Sequence, residues 1–159
     1  MSFIKKQTAG TWITFIALVL TIVSCIIYKI NIAGDGYFKN AAVPSATQYA
    51  IIAIVLLVIA LVLSQINTKG IVDKLIRIVT DAMRIVFPAL SIAVAITLVS
   101  SRVQGFAFIY FSNEEVLQEV QTAANLSSAH GAIASIIAFA VTALVGMIAA
   151  FFTLKKKEA

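Results

Sequence analysis

Four stretches of this chain, residues 11–28, 49–63, 85–99 and 132–152, contain no Asp, Glu, Lys or Arg. No other feature limits the fold as much. A surface helix of a water-soluble domain sets an apolar stripe against a charged face, whereas these stretches are uncharged all round. Only 12% of the residues are charged and 61% are hydrophobic. Soluble domains carry roughly 25% charged residues, so this chain has too little polar surface to cover itself in water. Lipid removes the difficulty. Each stretch is expected to be a helix, because an isolated strand would leave backbone groups unpaired in hydrocarbon.

The expected fold is therefore an all-α membrane protein. It is a four-transmembrane-helix bundle with an amphipathic helix before the third span and a short extracellular helix between the third and fourth. Residues 1–159 form one integral membrane domain, with spans at about 10–29, 47–66, 85–102 and 130–153. A crossing needs roughly 20 apolar residues. The second and third spans reach that length only if Ser, Thr and Gln complete them near the headgroups.

Basic residues set the expected direction. With both termini and the loop between spans two and three on one side, that side holds nine: Lys5, Lys6, Lys69, Lys74, Arg77, Arg84, Lys155, Lys156 and Lys157. The other side holds three, Lys29, Lys39 and Arg102. Positive charge collects on the cytoplasmic side, so the N- and C-termini are expected there. The expected setting is the cell membrane of a bacterium, with a multi-pass topology. Trp12, Tyr28, Tyr49, Phe151 and Phe152 stand at span ends, as an aromatic belt requires. Residues 22–25 have the shape of a lipoprotein cleavage box ending in Cys25. The apolar run continues through Ile26, Ile27 and Tyr28, which favours an uncleaved first helix. Cys25 is the single cysteine, so no intramolecular disulfide forms. The terminal Lys155, Lys156 and Lys157 suit a stop-transfer signal and attraction to anionic lipid.

Two connecting segments have patterns of their own. In residues 71–84, Val72, Leu75, Ile76, Val79 and Met83 recur at helical spacing, with Asp73, Arg77, Asp81 and Arg84 on another side. Residues 71–101 as one straight helix would measure about 46 Å, more than the roughly 30 Å hydrocarbon core. The expectation is a lead-in lying in the inner interface and bent near Pro88. The alternative is an extension of the third helix beyond the membrane. The outer segment, residues 103–129, opens with an aromatic run, 105–111, expected to dip into the outer interface or cover the bundle. Ser112 followed by Glu115 has capping-box spacing, so a short helix is expected there.

Helices associate in lipid through small residues that let backbones approach. The fourth span carries Ala134, Ala138, Thr142, Gly146 and Ala150 at four-residue spacing, read as a helix-packing stripe. The third carries Ala89, Ala93, Thr97 and Ser101 in the same pattern, and the first Ala17, Thr21 and Cys25.

Chemistry has few candidate players. No ionisable side chain lies at the centre of a span, where ion-coupled carriers place one. No nucleophile elbow, phosphate loop or His-Glu-x-x-His motif occurs. The span hydroxyls are expected to bond their own backbone carbonyls. A candidate outer polar cluster comprises Arg102, Glu114, Glu115, Glu119 and His130. Arg102 either pairs with those acids or snorkels to the headgroups. One histidine with two carboxylates at this separation is a weak metal signal. The expectation is no catalytic residue, no cofactor, no metal and no nucleic-acid partner. The partners are the lipid bilayer and another membrane protein or a second copy of the chain. The expected function is that of a non-enzymatic accessory, scaffold or assembly subunit of a larger membrane system. The alternative is an oligomeric small-molecule transporter or channel component.

Overall fold

Local sequence sets the helix boundaries. In the structure, a computed structural model describing residues 7–66 and 68–154, Thr8 caps the first helix by accepting a hydrogen bond from Thr11 N. That helix, α1, covers Ala9–Ala33. The second, α2, covers Pro44–Ser64 and starts on a proline, whose fixed φ and missing N–H suit the first helical position. Gly70, at φ 70°, precedes α3 in a conformation that side chains disfavour. α3 spans Ile71–Phe111. A short α4, Glu114–Val120, and a long α5, Ala123–Ala150, complete the chain. The five helices are the only regular elements among the described residues. α1, α2, α3 and α5 are each long and apolar enough to cross a membrane.

These four run alternately up and down. Each packs against two others, in the ring order α1, α5, α3, α2 and back to α1, with the α1–α2 seam the sparsest. The start of α1, the end of α2 and the end of α5 lie at one end, called here the termini end. The 34–43 loop and α4 lie at the other, called here the loop end. Large side chains such as Ile16, Ile51, Ile96, Ile137 and Leu144 point outward. Alanines and hydroxyls fill much of the inside: Ala17, Ala53, Ala60, Ala132, Thr14, Thr21, Ser91 and Thr142 are buried. Apolar residues outside and small ones inside is an arrangement suited to lipid, where close backbone packing holds helices together.

The packed faces follow a spacing other than the expected one. α2 buries Ala46, Ala50, Ala53, Leu57, Ala60 and Ser64, alternating steps of four and three. α1 repeats this with Gly10, Thr14, Ala17, Thr21, Ser24, Tyr28 and Asn31, and α5 with Ser128, Ala132, Ser135, Phe139, Thr142, Gly146 and Ala149. This is the seam of knobs-into-holes packing, which keeps one face toward the neighbour. A strict four-residue stripe instead advances about 40° at each step of a 3.6-residue helix. Of the expected α5 stripe, Thr142 and Gly146 are buried, Ala138 and Ala150 half-buried, and Ala134 exposed. On α3, Ala89 and Ser101 are exposed for the same reason.

Three connecting features also depart from expectation. α3 is continuous through Pro88 and about 62 Å long at 1.5 Å per residue, so the lead-in and the span are one helix. The aromatic run forms the last turns of α3, and α5 begins at Ala123 because Thr122 caps it. α4 is capped by Asn113, whose side chain accepts from Val116 N at 3.0 Å. Ser112 instead donates back to the Phe108 carbonyl at 2.8 Å.

Candidate functional sites at the two ends of the bundle

At the termini end, the chain beyond α5 turns back on its last carbonyls, with Phe152 N donating to that of Ala149 at 3.1 Å. Arg84 of α3 adds a further donor there. Its guanidinium donates to the Ala149 carbonyl and, at 2.6 Å, to that of Phe152. It also reaches Asp81 at 3.3 Å. Arg84 is only 2% exposed, and its Nε is buried without a partner. A cation at a helix C-terminus meets the negative end of the dipole. Thr8 donates to the carbonyls of Thr153 and Leu154, both at 2.8 Å, and Thr11 to Leu154 at 3.2 Å. Gly10 permits this contact, since a Cβ there would run into the Thr153 carbonyl. The start of α1 and the end of α5 are thus tied together. Lys5, Lys6, Lys155, Lys156 and Lys157 lie outside the described residues.

The lead-in to α3 turns four of its polar residues toward the bundle, while Lys74 and Asp81 stay exposed. Asp73 and Arg77 are half-buried and paired at 2.7 Å, and Thr80 and Arg84 are buried. Val72, Leu75 and Val79 are exposed, Leu75 at 60%. Ile76 and Met83 are half-buried, so among the described residues only part of the apolar face is uncovered.

At the loop end, Arg102 takes a role that the expected cluster did not include. Its guanidinium donates to the Ala41 carbonyl and lies 4.6 Å from the centre of the Phe38 ring. It is 4% exposed. Gly105 lets Tyr37 and Phe38 settle on α3, and Phe106 meets Phe38 edge-on at 5.6 Å. Tyr28 accepts from Val43 N at 2.7 Å, which fixes the start of α2. Glu114, Glu115 and Glu119 are exposed on α4, and His130 is exposed on α5. Among the described residues, the ion pairs are Lys39–Asp35, Arg77–Asp73 and Arg84–Asp81, so Arg102 is not joined to those acids. No three His, Cys, Asp or Glu side chains converge among the described residues.

The span hydroxyls turn back on their own helices. Thr14, Thr21, Ser24, Ser135 and Thr142 donate four residues back, at 2.7 to 2.8 Å. One pair also meets across helices, Ser24 and Thr142 at 3.1 Å.

Asn31 was missed by the reading of the sequence, since an Asn near a span end has no motif around it. It is 8% exposed, and its Nδ2 donates to the Ser128 carbonyl at 2.7 Å. Its Oδ1 is buried without a partner. It lines a crevice of about 340 Å³ between α1 and α5, with Ile27, Ile30, Asp35, Ser127 and Gly131. Among the described residues, Asn31 Oδ1 and Arg84 Nε are the two buried side-chain polar atoms without a partner. No protein-family model matches the chain, and no curated protein or solved structure is significantly similar to it.

Proposed function

We propose that this chain is a non-enzymatic accessory, scaffold or assembly subunit of a larger membrane system. The observation carrying this reading is the inverted lead-in of α3. Asp73, Arg77 and Arg84 face the bundle, and the apolar Val72, Leu75 and Val79 face away. Uncovered apolar surface of this kind suits a partner helix or the membrane interface. The engagement of Arg84 and Arg102 in tying down helix ends and loops supports the same reading, because both serve assembly of the bundle.

The chain lies in the cell membrane of a bacterium with both termini cytoplasmic. The nine-to-three split of basic residues supports this orientation. In a variant with Cys25 replaced by Ala, a membrane-impermeant thiol reagent applied from outside should label a cysteine at Ser112 but not one at Lys69. The reverse pattern overturns the orientation.

Purification in mild detergent followed by native mass spectrometry tests the function. One copy of this chain bound to a different membrane protein is the expected result. A stable homo-oligomer with no other protein contradicts it and favours an oligomeric transporter or channel component.

A further inference from the structure

The α1–α2 seam, the sparsest in the ring, opens toward the loop end into a second crevice, of about 270 Å³. Val94 of α3 and Phe139 of α5, both buried, close its back. Its walls are Cys25 and Tyr28 on α1 and Ala46, Ala50 and Ile54 on α2. From Ala46 to Ile54 it runs about 12 Å along α2, at 1.5 Å per residue. Volume over length gives a mean cross-section of about 22 Å², room for one extended hydrocarbon chain. A helix, about 10 Å across with its side chains, is too wide to enter. The lining is almost wholly apolar, and the Thr47 hydroxyl is turned to the Val43 carbonyl at 3.3 Å. Ile26 and Ile51 beside the opening are exposed, so the crevice faces the lipid side of the bundle. Lys29, one turn beyond Cys25, is exposed and lends its stem to the lining. An ammonium on such a stem reaches for the headgroups. Among the described residues no acid forms an ion pair with Lys29, and Asp35, at the same end of α1, is held by Lys39 at 2.6 Å.

We propose that this crevice takes one acyl chain of an acidic phospholipid, with Lys29 beside the phosphate. The second chain stays in the bilayer. The apolar walls set the fit to a chain, and any phospholipid can supply one. The unpaired cation sets the choice among headgroups, because a lysine near the membrane surface favours lipid of net negative charge. A zwitterionic lipid brings the same chain but no net charge to Lys29.

The test is photo-crosslinking of the full chain in phosphatidylcholine nanodiscs. These are doped with phosphatidylglycerol or phosphatidylcholine carrying the same diazirine midway along one acyl chain, and adducts are mapped by mass spectrometry. At Cys25 and Ile54, half-buried in the crevice, phosphatidylglycerol is expected to give about fivefold more adduct, the scale of one lysine near an anionic headgroup. At Ile22 and Val55, exposed on the outer faces of the same helices, the two lipids should give equal yields. Lys29→Gln alters an exposed side chain and should bring the crevice ratio below about twofold. Lys69→Gln removes the same charge at the termini end and should leave the ratio unchanged. Adducts confined to the outer faces overturn the proposal. So do equal crevice yields from the two lipids, or a phosphatidylglycerol preference that persists in Lys29→Gln.

Discussion

Arg84 and Ser24 are both buried polar residues at helix contacts, and their expected contributions differ several-fold. Arg84 donates to the Ala149 carbonyl of α5 and to the Phe152 carbonyl just beyond it, from a site closed to solvent. Hydrogen bonds to charged groups contribute about 1.5–3 kcal/mol each. Arg84→Met should therefore lower stability by roughly 2–3 kcal/mol, since desolvation of the lost charge offsets part of the gain. Arg84→Lys should recover less than half, because an ammonium cannot fork between two acceptors as a guanidinium does. Ser24 already bonds the Leu20 carbonyl, so its contact with Thr142 adds little. Hydrogen bonds between membrane helices average about 0.6 kcal/mol, and Ser24→Ala should cost no more than that. Thermal unfolding in detergent ranks the three variants. A Ser24→Ala loss equal to that of Arg84→Met would contradict the assignment. The identity of these residues was plain in the sequence, but their partners were not. Arg84 reads as one charge on the polar side of an amphipathic segment, where its pair with Asp81 is legible, and Arg102 as pairing with acids or snorkelling to the headgroups. Both also donate to backbone carbonyls, which no side-chain pattern reveals.

Among the elements, the choice between two packing faces can be tested directly. Gly146 and Ala60 lie on the alternating four-three seam, and a Cβ at Gly146 would run into the Phe87 ring. Ala134 belongs to the four-residue stripe but is exposed. Gly146→Leu and Ala60→Leu should each destabilise by about 1–3 kcal/mol through overpacking. Ala134→Leu should change stability by less than about 0.5 kcal/mol. Equal losses at all three sites would restore the four-residue stripe. The existence of the four helices was legible because charge-free runs of this length have few other fates. The contact faces were legible in α2, where Ala46, Ala50, Ala53, Ala60 and Ser64 already mark the seam by size alone. In α5, alanine is abundant on every side, so small residues alone do not select a face. Helix ends were the least legible. Thr122 and Asn113 are single capping residues without a surrounding pattern, and α3 runs on through both Pro88 and the aromatic run.

At the scale of the whole molecule, the bundle ties its own helix ends, and among the described residues nothing covers Val72, Leu75 and Val79 at the start of α3. Thr8, Thr11 and Arg84 bind the terminal segments at one end. Arg102, Tyr28 and Ser128 hold the 34–43 loop at the other. What remains outward-facing at the start of α3 is the apolar strip of Val72, Leu75 and Val79, with Asp73, Arg77 and Arg84 turned in. The sequence showed that strip as amphipathic. It did not show which side faced the bundle, since that depends on where the C-terminal carbonyls of α5 fall in space. The account makes this strip the docking face for another membrane protein. A photo-crosslinking amino acid placed at Leu75, in cells, tests it most directly, with Ile137 on the outer face of α5 as the control position. The account predicts a discrete adduct between this chain and a different membrane protein from Leu75, and none from Ile137. The contradicting result is no protein adduct from Leu75 beyond that of Ile137, or adducts only to further copies of this chain.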